Sequence, residues 1–156
     1  MADVPVKWKI GTPQTLINSS TDVANNNFSA AGTAFTNNDS NVPMAQEALY
    51  MLIAPDFGGT PAAGAAIEVW AVHQNVDSTD DETDAPSGTA QGGAIFLVSI
   101  PIAPTDALQR RERRGPLPLR DWVPYLRNLT GQNLNNDGGT NCVLKVTPIA
   151  PYVSTP

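Results

Sequence analysis

Very little in this chain could do chemistry: one histidine, one cysteine, three serines worth considering and one run of carboxylates. His73 closes an apolar stretch, and Asp77, Asp80, Asp81, Glu82 and Asp84 follow it. A histidine beside carboxylates is the raw material of acid–base catalysis, and clustered carboxylates are that of a hard-cation site. The run lacks the glycine-spaced pattern that shapes a calcium loop, so it reads as a solvated acidic loop after an ordinary strand histidine. Ser19, Ser20 and Ser40 have no His or Asp in a pattern that would activate them. No nucleophile elbow, glycine-rich phosphate loop or pair of catalytic carboxylates is present, so no catalytic residue, metal or cofactor is expected. Cys142 alternates with Leu144 and Val146, which marks a buried structural thiol and not a nucleophile. Asn128-Leu129-Thr130 matches a glycosylation acceptor, but with no secretory signal in view it reads as turn chemistry.

What remains is surface chemistry. Arg110 to Arg114 read RRERR, a cluster of one dominant sign that the surrounding prolines place at a loop tip. Like charges so close repel one another unless an acidic partner neutralises them, and arginine is the residue suited to bidentate carboxylate pairing. Lys7 and Lys9 add a second basic feature on an N-terminal arm. Of three tryptophans, Trp122 lies in a proline-interrupted stretch and is the one expected to be exposed. The candidate contact residues are therefore Lys7, Lys9, Arg110, Arg111, Arg113, Arg114 and Trp122.

These residues must be carried by a framework, and composition limits which one. The chain has 156 residues, one domain's worth. A single cysteine rules out an internal disulfide, and a lone histidine a zinc module, which suits a reducing cytoplasm. Net charge is −6, against nucleic-acid binding as the main role. Only 15% of residues are charged, well below the about 25% usual in soluble domains, as expected of a surface lying largely against other proteins. The N-terminus lacks a signal-peptide core, and the longest apolar runs reach about half of a membrane span, so no membrane is expected.

Alternation then locates the elements. Val6, Trp8 and Ile10 point one way and Lys7 and Lys9 the other, a first strand within an arm at 1–15. Residues 18–41 form a long polar loop anchored at Phe28 and Phe35. Ala48 to Ala54, Ile67 to His73 and Ile95 to Ile100 are strands, the last two apolar on both sides and so expected to be covered on both faces. An acidic loop at 75–92 and a Pro/Arg-rich loop region at 104–124 separate them from the end of the chain. There, Tyr125 to Leu129 and Asn141 to Thr147 flank an Asn/Gly run and predict a closing β-hairpin. Short strands, 14 prolines and no helix-period segment make an all-β sandwich or barrel, one domain over 1–156.

The succession ALYMLIAP, AAIEVWAVHQNVD, GAIFLVSIPI, PLPLRDWVPYLRNLTGQ and NCVLKVTPIAPYV resembles the small jelly-roll virion proteins of tailed bacteriophages, the capsid cement or decoration type. The matches to that family's pattern are Ile67 to Val72, Tyr125 to Gln132 with Asn128, Thr130 and Gly131, and Asn141 to Pro148 with Leu144 and Lys145. The likeness runs from about residue 45 onward; the RRERR cluster and the long acidic loop at 77–84 depart from it. It implies a single jelly-roll-like antiparallel β-sandwich with long loops, made in a bacterial host's cytoplasm and placed on the exterior of the virion. It implies no enzymatic activity, a major capsid protein as partner, and a homo-oligomer, dimer or trimer. Two alternatives use the same fold: a tail or neck component, or a carbohydrate-binding module for a host-surface glycan.

Overall fold

The computed structural model describes residues 6–40, 42–74, 85–135 and 140–153; the acidic run at 77–84 lies outside them. Ten strands are present among the described residues and no helix. They are β1 (Val6–Ile10), β2 (Gln14–Ser19), β3 (Glu47–Ala54), β4 (Asp56–Phe57), β5 (Ala66–His73), β6 (Ile95–Pro101), β7 (Gln109–Pro116), β8 (Trp122–Leu129), β9 (Leu134–Asn135) and β10 (Cys142–Val153).

All pairings are antiparallel. The larger sheet runs β1–β10–β3–β7, with β2 sharing β10's edge below β1, and the smaller runs β6–β5–β8. Phe28 and Phe35 bridge Arg127 and Trp122 and so occupy the fourth position beside β8. Following the chain, β3 to β5, β6 to β7, β7 to β8 and β8 to β10 each pass from one sheet to the other, the interleaving of a jelly roll, which leaves β6 and β7 as edge strands. The fold is thus the expected all-β, jelly-roll-like sandwich.

Alternation builds the core between the sheets. Ala48, Tyr50, Leu52 and Ala54 of β3 and Leu144 and Val146 of β10 face Ile67 and Val69 of β5, Ile100 of β6 and Leu126 of β8, all fully buried. Each large aliphatic side chain so buried contributes about 1.5–3 kcal/mol. The predicted two-sided burial of β5 holds because a second cluster lies on its other face: Trp70 and Val72 pack with Val123, Tyr125 and Phe28. Phe28 meets Trp70 edge-on, at 5.7 Å and 79°. The expectation fails for the start of β6, where Ile95 and Phe96 are exposed, because β6 is an edge strand that nothing overlies there.

The closing hairpin does not form. β8 pairs with β5 in the smaller sheet, and β10 pairs with β1, β2 and β3 in the larger one. The chain between them crosses from one sheet to the other, turned by a polar knot. The Asn128 amide donates to the carbonyls of Val23 and Gln132, both at 2.8 Å. Its Oδ1 accepts from Thr130 N at 3.1 Å and Thr130 Oγ1 at 2.7 Å. Gly131 follows at φ 80°, a backbone that suits glycine. Every polar atom of the buried Asn128 side chain is thereby engaged, which confirms turn chemistry at the Asn-Leu-Thr triplet.

The Arg-rich segment is not a loop tip: Gln109 to Pro116 pair residue for residue with Ala54 to Glu47, making β7 the outer strand of the larger sheet. Buried Gln109 starts it by clamping the preceding loop through Ala103 N, Ala103 O and Thr105 O at 2.8–3.0 Å. Gly115 lets it pass close to the second sheet: a Cβ there would lie 3.1 Å from Val98 Cβ and 3.3 Å from the Tyr50 ring.

Candidate functional site: a basic and apolar sheet face

Basic residues gather on one sheet. The strands of the larger sheet carry seven of the nine Lys and Arg residues (Lys7, Lys9, Arg110, Arg111, Arg113, Arg114 and Lys145) but only two of the 15 acidic residues, Glu47 and Glu112. The strands of that sheet therefore sum to +5 in a chain of −6, and the other described residues, with six acidic and two basic side chains, to −4. A basic sheet of this kind favours contact with an acidic surface over a basic one.

Strand register places the side chains. Arg110, Glu112 and Arg114 share the outward face with Ile53, Met51 and Leu49 of β3, while Arg111 and Arg113 alternate to the other side with Gln109. On β10, Val143, Lys145 and Thr147 continue the outward row, each opposite one of the same β3 residues. No strand overlies this row among the described residues, so a half-exposed apolar band lies between basic strands.

The band ends in an open groove of about 910 Å³ lined by Trp8, Met44, Glu47, Arg114, Pro116, Ile149 and Pro151. The Arg114 guanidinium stacks on Trp8, 3.9 Å from the ring centroid, and also pairs with the Glu47 carboxylate. It therefore ties β7 to β1 across β3 and β10, although both charged groups remain more than 40% exposed and the pair is a weak one. Pro43 and Met44 form the centre of a turn closed by Ala45 N to Val42 O at 3.2 Å. Met44 holds φ 52° there while 67% exposed. A left-handed, solvent-facing methionine is costly twice over, and the turn presents it at the rim of the groove.

Of the candidate contact residues, the structure leaves the basic ones at the surface and buries the aromatic one. Lys7, Lys9, Arg110, Arg113 and Arg114 are exposed and Arg111 half-buried, all on one sheet. Trp122 is fully buried against Phe35 at 5.7 Å, because β8 is the strand over which the 18–41 segment folds. The exposed tryptophan is Trp8, at 46%. Its alternation with Val6 and Ile10 suggested a core face, but β1 pairs only with the overhanging end of β10, beyond the reach of β3, so that face meets solvent. Met44 and Glu47 were not singled out; a methionine directly after proline in a turn was the available signal for the first.

The other chemical candidates dissolve. Cys142 is buried, and desolvation pushes its thiol up to about 12, so no thiolate is available near neutrality. His73 is exposed at the end of β5, and the carboxylates at 77–84 lie outside the described residues. Ser19 Oγ accepts from Thr21 N at 3.0 Å, which is turn chemistry. No group of three or more potential metal ligands exists among the described residues, and no described helix is long and apolar enough to cross a membrane. Searches for related family models, curated proteins and solved structures find nothing that matches this chain, so its fold and this charged face are what a functional reading has to build on.

Proposed function

We propose that the protein is a non-enzymatic structural component of a tailed-phage virion that docks on the outside of the assembled capsid and cements it, with the major capsid protein as partner. The observation that carries the reading is the gathering of basic charge: a sheet whose strands sum to +5 and bear an exposed apolar band, in a chain of net charge −6. Such a face adheres where an acidic, partly apolar surface is offered. A rigid sandwich bridging two subunits adds buried area that exists only in the assembled lattice, and so stabilises it by mass action. Repetition over the lattice makes weak contacts strong, and a dimer or trimer of the protein multiplies them again. The carbohydrate-binding alternative is disfavoured because the Arg114 guanidinium already covers one face of Trp8, the only largely exposed tryptophan.

The test is co-sedimentation with purified empty capsids and, separately, with tails. The parent protein is expected to pellet with capsids and not with tails. The quadruple variant Arg110→Ser, Arg111→Ser, Arg113→Ser and Arg114→Ser should keep its fold and lose binding, most visibly as salt is raised. Met44→Gly should weaken binding without loss of stability, since it relieves the left-handed backbone. Binding of the quadruple variant equal to the parent's across a salt titration would overturn the docking face, and binding to tails alone would overturn the cement reading.

A further inference from the structure

The two sheets treat their edges differently. Along β8 the chain covers its own edge: Asn26 N bonds Asn128 O at 2.6 Å, Ser29 N bonds Leu126 O at 2.7 Å and Phe35 N bonds Trp122 O at 2.8 Å. Along β7 it does not. β7 pairs with β3 over its full length, and no backbone group of Arg110 to Gly115 bonds any other segment among the described residues. In an antiparallel ladder alternate residues point their N–H and C=O to one neighbour, so half of β7's backbone groups face outward with no strand to receive them. The run from Arg110 to Arg114 contains neither proline nor glycine, so nothing in its backbone chemistry blunts this edge.

The side chains decide what the edge accepts. Arg111 is held by Gln109 Oε1 at 3.1 Å, and Arg114 by Glu47 and Trp8. Arg110 and Arg113, on opposite faces of the strand, have no carboxylate partner among the described residues. A second β7 laid alongside would set arginine beside arginine and be repelled. An extended segment bearing carboxylates would meet arginine on both faces. Edge charge of this kind bars self-pairing, and the same charge selects a complementary strand.

We propose that β7 is a charge-coded open edge at which an extended acidic segment of another polypeptide adds as a further strand of the larger sheet. This names the partner geometry of the docking face and rests on the reading above. The probe is a fluorescein-labelled, end-blocked peptide of two Thr-Thr-Glu-Glu repeats, which sets carboxylates on both faces of an extended strand, measured by anisotropy against the full-length protein. Saturable binding is expected, together with slowed hydrogen exchange at the Arg110 to Gly115 amides. A fully N-methylated peptide of the same sequence keeps every carboxylate and loses every backbone donor, and should bind at least about tenfold more weakly. The double variant Arg110→Glu, Arg113→Glu should fold normally and transfer its preference to the same peptide with lysine in place of each glutamate.

Equal binding of the methylated and unmethylated peptides would overturn strand addition, as would absence of any binding or of exchange protection. The outcomes separate the two proposals. Peptide addition with no capsid binding leaves the edge standing and removes the shell reading; capsid binding with no effect of N-methylation does the reverse.

Discussion

Replacing Asn128 by alanine tests how the chain is turned from one sheet to the other. Removal of the amide affects its partners unequally. Val23 O keeps its bond from Leu134 N at 3.0 Å, and Gln132 O can still accept from Thr130 Oγ1 at 3.0 Å. Thr130 N, in a residue only 1% exposed, loses its acceptor and becomes a buried orphan donor. An orphan of this kind costs about 1–3 kcal/mol, and with the bonds lost beside it the total comes to about 2–4 kcal/mol. For a domain of this size 1 kcal/mol shifts Tm by about 2–4 °C, so thermal unfolding should drop by about 4–16 °C. Asn128→Asp sharpens the test. An ionised carboxylate would present lone pairs to two carbonyls in a dry site, which raises its folded pKa above the unfolded value of about 3.9. The deficit against the parent should be smallest below that value and grow as pH rises through the raised folded pKa. A Tm change under about 2 °C for Asn128→Ala, or a deficit in Asn128→Asp that ignores pH between 3 and 7, would refute this account of the corner.

Three further outcomes follow from the packing. Truncation of Leu144→Ala, in the fully buried centre of β10, should cost about 2–5 kcal/mol in denaturant unfolding; a loss under about 1 kcal/mol would mean that this part of the core relaxes freely. Burial raises both the Cys142 thiol, from 9.0 to about 12, and the Tyr50 hydroxyl, so their neutral forms stabilise the fold fully below pH 9. Stability should fall as pH climbs from 9 towards 12, less steeply in Cys142→Ala, and the native thiol should resist a thiol reagent at pH 8. Trp8 should account for the iodide-quenchable fluorescence, since Trp70 and Trp122 are buried, so Trp8→Phe should abolish quenching while leaving the unfolding midpoint within about 1 kcal/mol of the parent's.

Much of the sandwich was legible because burial on a pleated strand leaves a period of two. Alternation located β3, β5 and the first half of β10 within a residue or two, and the apolar residues on both sides of β5 announced that something must lie over each face. Phe28 and Phe35 stood out in a polar segment because isolated aromatics there need a cover, and they are the residues that bridge to β8. The basic residues of the larger sheet were legible as types for a similar reason, since charge is carried by the side chain whatever the backbone does.

Three matters were decided only by the tertiary structure. The Asn/Gly run after Leu129 requires a turn, but turn chemistry is local and does not say whether the next strand rejoins the same sheet; that depends on which edges β3 and β5, distant in sequence, leave open. RRERR is a strand without an apolar face, because an uncovered edge has no burial to impose one, so only its pairing to β3 reveals it. Trp8 and Trp122 exchange their expected places because exposure is set by what lies opposite. β1 hangs beyond β3 with no strand above it among the described residues and the Arg114 guanidinium over one face of its tryptophan, whereas β8 is wrapped by a loop that joins it from some 90 residues earlier in the chain.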